Sequence, residues 1–162
     1  MGVTDELLGR NREYVKSYLP DQPLPPRLKL AVVACMDSRL DVFASLGLSI
    51  GDAHVIRNAG GGVTDDVIRS LVISQRKLGT EEIILVHHTN CGALTFTDDQ
   101  LRNELMEETG QKPSWSPESF VDLDKDLRQS MERVRTNPFV PRRDQVRGFI
   151  FDVHTGELRE VL

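Results

Sequence analysis

Cysteine is nearly missing from this chain: Cys35 and Cys91 are the only two among 162 residues. That is too few for a small domain stapled by disulfides. No Cys-x-x-Cys occurs, so a thiol–disulfide oxidoreductase lacks its motif. The same gap, with no His-x-Glu, removes a zinc nucleobase deaminase. Gly-x-x-x-x-Gly-Lys is absent too, so the glycines of Asn58–Gly62 form no phosphate loop. No apolar run approaches the roughly 18 residues that a membrane-spanning helix needs. Positive charge is in deficit, with 20 Lys and Arg against 25 Asp and Glu and a net charge of −5. This argues against a general nucleic-acid or anionic-membrane partner. The segment Met1–Arg12 is polar and acidic without the apolar core of a signal peptide, which points to the cytoplasm. In a reducing compartment two cysteines serve as ligands or nucleophiles more often than as a disulfide. A buried unreactive pair and one disulfide are the bland alternatives.

What is present reads as a single domain over 1–162, opened by a helical arm and Pro-rich linker over 1–27. Leu7, Leu8, Tyr14, Val15 and Tyr18 give residues 1–19 a helical pattern, with Thr4 as its expected N-cap. Pro20 and the stretch Pro23–Pro26 end it. Such a helix must pack on this domain or on a second copy. Leu28–Cys35 is a near-continuous apolar run, as in a parallel strand buried on both faces. Ala53–Arg57, Glu82–His88 and Val146–Val153 are further strands, and Leu158–Leu162 is a short returning strand after the turn His154–Glu157. Helices are expected over 40–46, from Thr64 to Gly79 and over 98–109 and 118–135; Asn58–Gly62 is expected to be a flexible loop. Strands alternating with helices imply an α/β fold. We expect a mostly parallel central sheet of about four strands, a short antiparallel C-terminal strand, helices on both faces and an N-terminal helical arm.

The chemistry gathers at strand ends, where open α/β sheets form their sites. Cys35 and His88 both fall at carboxyl ends, and Cys91 lies three residues past His88. Two thiolates and one imidazole suit Zn²⁺ and leave a fourth position open, the mark of a catalytic rather than a structural site. Asp37 is near enough in sequence to be the fourth ligand. Arg39 offers a fork that fits a carboxylate bidentately and could hold Asp37 off the metal. Asp37 would then orient a water whose pKa zinc lowers toward about 7, and activity should rise with pH. Each residue also has a bland reading. Asp37 could cap the segment from Ser38, Arg39 could be a surface charge, and His88 a core histidine. His87 alternates with His88 and is expected to face the other way in a structural role, while His54 and His154 are expected to be solvated. Gly60 and Gly61 could be only a turn, or a backbone passing close to a small ligand. Gly92 could orient a substrate oxygen through its N–H.

Cys35-x-Asp37-x-Arg39, Arg57-Asn58-Ala59-Gly60 and His88-x-x-Cys91-Gly92, in that order, resemble the β-class carbonic anhydrases. The tail Gly148–Leu158 is similar to that family's closing strand, turn and strand. The resemblance covers roughly 28–162 and implies a zinc enzyme interconverting carbon dioxide and bicarbonate. It implies one zinc per chain on Cys35, His88 and Cys91, with Asp37 either the fourth ligand in a closed form or Arg39's partner in an open one. It also implies a homodimer, possibly doubled to a tetramer, whose N-terminal arm embraces the neighbour. The short region after Cys91, the triplet Gly60–Gly62 and Thr95–Asp98 suggest a divergent branch. Some relatives hydrolyse carbon disulfide or carbonyl sulfide with the same ligand set. A catalytically silent structural-zinc or regulatory homologue is the remaining alternative.

Overall fold

The computed structural model describes residues 2–162. Five strands form one sheet in the order β2-β1-β3-β4-β5: β1 Leu30–Cys35, β2 Ala53–Asn58, β3 Glu82–His88, β4 Val146–Phe151 and β5 Leu158–Val161. The first four run parallel, and β5 returns antiparallel to β4. The helices are α1 Val3–Tyr14, α2 Val42–Leu46, α3 Asp65–Leu78, α4 Asp98–Thr109 and α5 Leu123–Arg135. This is the expected α/β class.

Alternation along the strands divides the core between the two faces. Ala31, Val33, Ile83 and Leu85 pack with Val67 and Leu71 of α3 and Leu127, Met131 and Val134 of α5. On the opposite face Val32, Ala34 and Val86 pack with Leu40, Val42 and Ala93. Strand β1 is wholly buried from Ala31 to Ala34, as its unbroken apolar run requires. Leu78, at the end of α3, is only half-buried. Helix α5 lies close on β4 because position 148 is glycine; a Cβ there would stand 2.8 Å from Met131 Sδ.

Several boundaries differ from expectation for local reasons. Strand β1 begins at Leu30 because Lys29 adopts a left-handed φ of 52° in a turn bonded back to Pro26. Helix α2 starts late because the Asp41 side chain caps it, accepting from Ala44 N–H. Helix α5 starts at Leu123, after Asp122 caps it and after Glu118 takes a φ of 58°. Strand β4 stops at Phe151, where the Asp152 carboxylate accepts from His154 and Thr155 N–H and closes the turn. The first helix is capped at Gly2, whose N–H donates to Asp5 Oδ2 at 2.9 Å, and not at Thr4. Met1 lies outside the described residues.

Helix α1 buries no residue against its own chain; Leu7 and Leu8 are exposed. No helix among the described residues is long and apolar enough to cross a membrane.

Candidate metal centre

Parallel pairing of β1 with β3 sets Cys35 and His88 at neighbouring carboxyl ends of the sheet. The chain turns sharply after His88, through Asn90 at φ 54°, and returns Cys91 to the same point. The ligand atoms of Cys35, His88 and Cys91, all buried, lie within 4.8 Å of one another. The two sulfurs are 3.9 Å apart. Two Zn–S bonds of about 2.3 Å at a tetrahedral angle would set sulfurs about 3.8 Å apart. His88 Nδ1 lies 2.9 Å from the Thr89 carbonyl, which can only accept. The proton therefore sits on Nδ1 and leaves the Nε2 lone pair bare, the arrangement metal-ligating histidines show. That Nε2 is buried with no hydrogen-bond partner. A buried polar atom left in this state is costly unless something coordinates it.

The electrostatics favour a cation in the same place. The hydrogen bond from Cys91 pulls the Cys35 thiol well below its ordinary range, and the Cys91 thiol is pushed up in return. One proton is shared by two sulfurs, because two buried thiolates so close repel without a counterion. Burial works against an imidazolium at His88, but the neighbouring Cys35 sulfur and the Thr89 carbonyl turn the balance upward. The cluster retains protons where a dication would replace them, and the residues fit zinc.

Asp37 stands at the rim with Oδ2 3.7 Å from His88 Nε2. It is turned onto Arg39, whose Nε and Nη2 donate to Oδ1 and Oδ2 at 2.9 and 2.8 Å, while Arg39 N–H also donates to Oδ1 at 2.9 Å. These bonds hold the Asp37 carboxyl well below the usual carboxylate range. Arg39 Nη2 reaches on to the Asn90 carbonyl at 2.9 Å. Arg57, at the end of β2, donates to the carbonyls of Cys35 and Asp37 at 2.9 and 2.7 Å and clamps the turn between them. Its part in the site was not legible beyond its place in the Arg-Asn-Ala-Gly segment. Asn90 was missed, although asparagine between two ligands is a recognisable left-handed turn signal.

The glycine segment is a tight 3-10 turn with Gly60 and Gly61 buried, not a flexible loop. Gly61 has φ +70°, and a Cβ there would lie 3.0 Å from Cys35 N and 3.2 Å from the Ala34 carbonyl carbon. A Cβ on Gly60, at φ +73°, would meet Ala93 and the Phe120 ring. The close approach that glycine allows here is to the protein's own ligand-bearing strand. Gly92 is exposed beside Cys91 and opens the turn Gly92–Leu94.

The other histidines sort differently. His87 faces away from His88's partners, is 1% exposed and packs edge-on to Phe120. Its Nε2 lies 3.3 Å from Asp126 Oδ2 without hydrogen-bond geometry. Burial pushes His87 down to about 4 and Asp126 up to about 6, so the two form no ion pair. His54 is not solvated as expected: it is half-buried, with Nδ1 2.7 Å from Ser74 Oγ. His154 is exposed.

The family model described as carbonic anhydrase matches residues 30–158. Beta-carbonic anhydrase 1 of Mycobacterium tuberculosis is 57% identical over 161 residues, covering 99% of each chain. The crystal structure of carbonic anhydrase from Streptococcus mutans superposes with a TM-score of 0.93 at 43% identity, over 100% of this chain and 99% of that one. A carbon disulfide hydrolase of Acidithiobacillus thiooxidans is more distant, 37% identical over 157 residues, 84% of this chain and 78% of that protein. A Cys-His-Cys cluster that fits a metal at the ends of a parallel sheet thus has its family: the chain belongs to the carbonic anhydrases, in their β class.

Proposed function

We propose that this protein catalyses the reversible hydration of carbon dioxide to bicarbonate with one zinc ion per chain, held by Cys35, His88 and Cys91. The observation that carries the reading is the Arg39–Asp37 fork beside that cluster. A structural zinc site needs no arginine to draw away a potential fourth ligand. Bound zinc would supply a water acidified toward about pH 7. Asp37, kept ionised by Arg39, accepts a hydrogen bond from the attacking water and aligns it on the carbon of the substrate. Arg57 holds the carbonyls on either side of Met36, which fixes the distance between the Cys35 ligand and Asp37. Gly60 and Gly61 bring the turn after β2 against the site, and Gly92 borders the substrate side.

The working unit is proposed to be the whole chain, 1–162, as a homodimer. Helix α1 and the turn after it leave Leu7, Leu8, Tyr14 and Val15 exposed, an apolar set that a second copy would cover.

Stopped-flow carbon dioxide hydration on zinc-verified protein tests the reading, with carbon disulfide and carbonyl sulfide measured beside it. Fast turnover of carbon dioxide is expected. Preference for a sulfur substrate would instead align the protein with its more distant hydrolase relatives. One zinc per chain without turnover of any of the three would make the site structural.

A further inference from the structure

We propose that Asn90 is a positioning residue: its left-handed backbone aims the Asn90 carbonyl at Arg39 and so braces the Arg39–Asp37 fork from the loop carrying His88 and Cys91. The inference rests on the gate described above.

Asn90 is one of four non-glycine residues with positive φ among the described residues, at 54°, and it stands between two proposed ligands. Asparagine enters this region more readily than other side chains with a Cβ. Its own side chain is exposed and makes no hydrogen bond among the described residues. Position 90 therefore contributes a backbone direction. That direction ends on Arg39 Nη2 at 2.9 Å, the same nitrogen that donates to Asp37 Oδ2 at 2.8 Å. Arg39's side chain is 47% exposed, so the fork alone leaves a long, hydrated chain free to swing with its carboxylate. A carbonyl acceptor on a fixed loop removes that freedom. The Asn90 carbonyl belongs to the peptide bond that leads into Cys91, so the placement of one proposed ligand and the position of the gate share one peptide unit.

Asn90→Gly keeps the backbone direction and Asn90→Val opposes it. Both are compared with wild type, Arg39→Ala and the double variant Asn90→Val/Arg39→Ala, all with zinc content measured. In stopped-flow carbon dioxide hydration, Asn90→Gly should stay within about twofold of wild type and Asn90→Val should lose about tenfold in kcat/KM. In the Arg39→Ala background Asn90→Val should cost nothing further, because its effect runs through Arg39. Independently of turnover, the Arg39 Nε–H signal in nitrogen–proton correlation spectra should be protected in wild type and Asn90→Gly, with and without zinc, and exchange away in Asn90→Val. If the valine variant does not fold, Asn90→Ala takes its place with a smaller loss of the same pattern. An equal cost of Asn90→Val in both backgrounds, or an unchanged Arg39 signal, overturns the brace and leaves the gate standing. Full activity in zinc-replete Arg39→Ala overturns the gate, and the brace with it.

Discussion

Arg39 meets Asp37 through two side-chain bonds of 2.9 and 2.8 Å, and the paired carboxylate oxygen lies 3.7 Å from the bare nitrogen of His88. A single carboxylate thus has two cationic claimants within reach, a fixed guanidinium and any cation that His88 would coordinate. The planar fork wins by geometry, because it engages both oxygens while a metal ligand would use one. Lysine can supply the charge at this position but not the fork. Arg39→Lys is expected to retain zinc and lose at least about tenfold in kcat/KM, the equivalent of one charge-assisted hydrogen bond of about 1.5 kcal/mol. Steady-state hydration kinetics with parallel zinc analysis check this. Wild-type activity in Arg39→Lys would show that charge alone holds Asp37.

Removing a ligand should act on stability as well as turnover. His88 is fully buried, and its Nε2 has no protein partner. Anything that binds the folded chain and not the unfolded one stabilises it by mass action, about 2.7 kcal/mol at a hundredfold excess over Kd. For a chain of this size that corresponds to a fall of about 5–10 °C in Tm on chelation. Treating wild type with a chelator should lower Tm by that amount, and added zinc should restore it. His88→Ala should contain no zinc and show no response to the chelator. A chelator-sensitive Tm in His88→Ala would place the metal elsewhere.

Gly61 and Gly79 have nearly the same left-handed backbone, with φ +70° and +73°, in different surroundings. A Cβ at Gly79 meets nothing within 4 Å, while one at Gly61 would crowd the Cys35 amide at 3.0 Å. Gly79→Ala should cost only the strain of the left-handed conformation, about 1 kcal/mol. Gly61→Ala adds a clash with a backbone that cannot yield without moving a ligand, and should cost about 3 kcal/mol in all. Urea unfolding of both variants, with zinc content measured, tests the difference. Equal costs would mean that β1 gives way freely and that the turn does not set the ligand's position.

The centre of the sheet was legible because β1 and most of β3 are buried on both faces, and an unbroken apolar run such as Ala31–Ala34 suits a sheet interior better than any exposed element. The gathering of Cys35, His88 and Cys91 was legible for a related reason: Cys35 and His88 end strands that pair side by side, Cys91 follows three residues on, and strand ends can be read. What escaped was set by contacts between distant parts of the chain. Arg57 clamps the Cys35–Asp37 turn from 20 or more residues away. His54 is held by Ser74 through the packing of α3, a contact that no local pattern announces. The glycine triplet shows the same limit. Three glycines describe freedom when read alone, but against β1 the middle one, Gly61, fills a gap too narrow for a side chain.

His87 and Asp126 give a last prediction, about pH and stability. Burial raises Asp126 to about 6 from an ordinary value near 3.8, with the Glu118 charge adding to it and Arg133 opposing it. The folded protein therefore binds this proton more tightly than the unfolded one. Stability from the protonated form is fully present below about pH 3.8 and is lost as pH rises through about 6. His87 runs the other way: burial lowers it to about 4, so its contribution is present above its ordinary value near 6.5 and is lost as pH falls toward 4. Asp126→Asn removes the first effect and leaves the second. At pH 7.5 the variant should be the more stable by about 1 kcal/mol, a figure reduced for the partial exposure of the carboxylate. At pH 4.5 the gap should shrink to about a third, because the folded wild-type Asp126 is then protonated while the unfolded one is still mostly ionised, and it closes only below about pH 3.8. Urea unfolding of both proteins at the two pH values measures it, and any loss of zinc in acid is common to both and cancels in the comparison. A variant less stable than wild type at pH 7.5 would mean that the Asp126 charge is matched in the folded state, with His87 as the group close enough to match it.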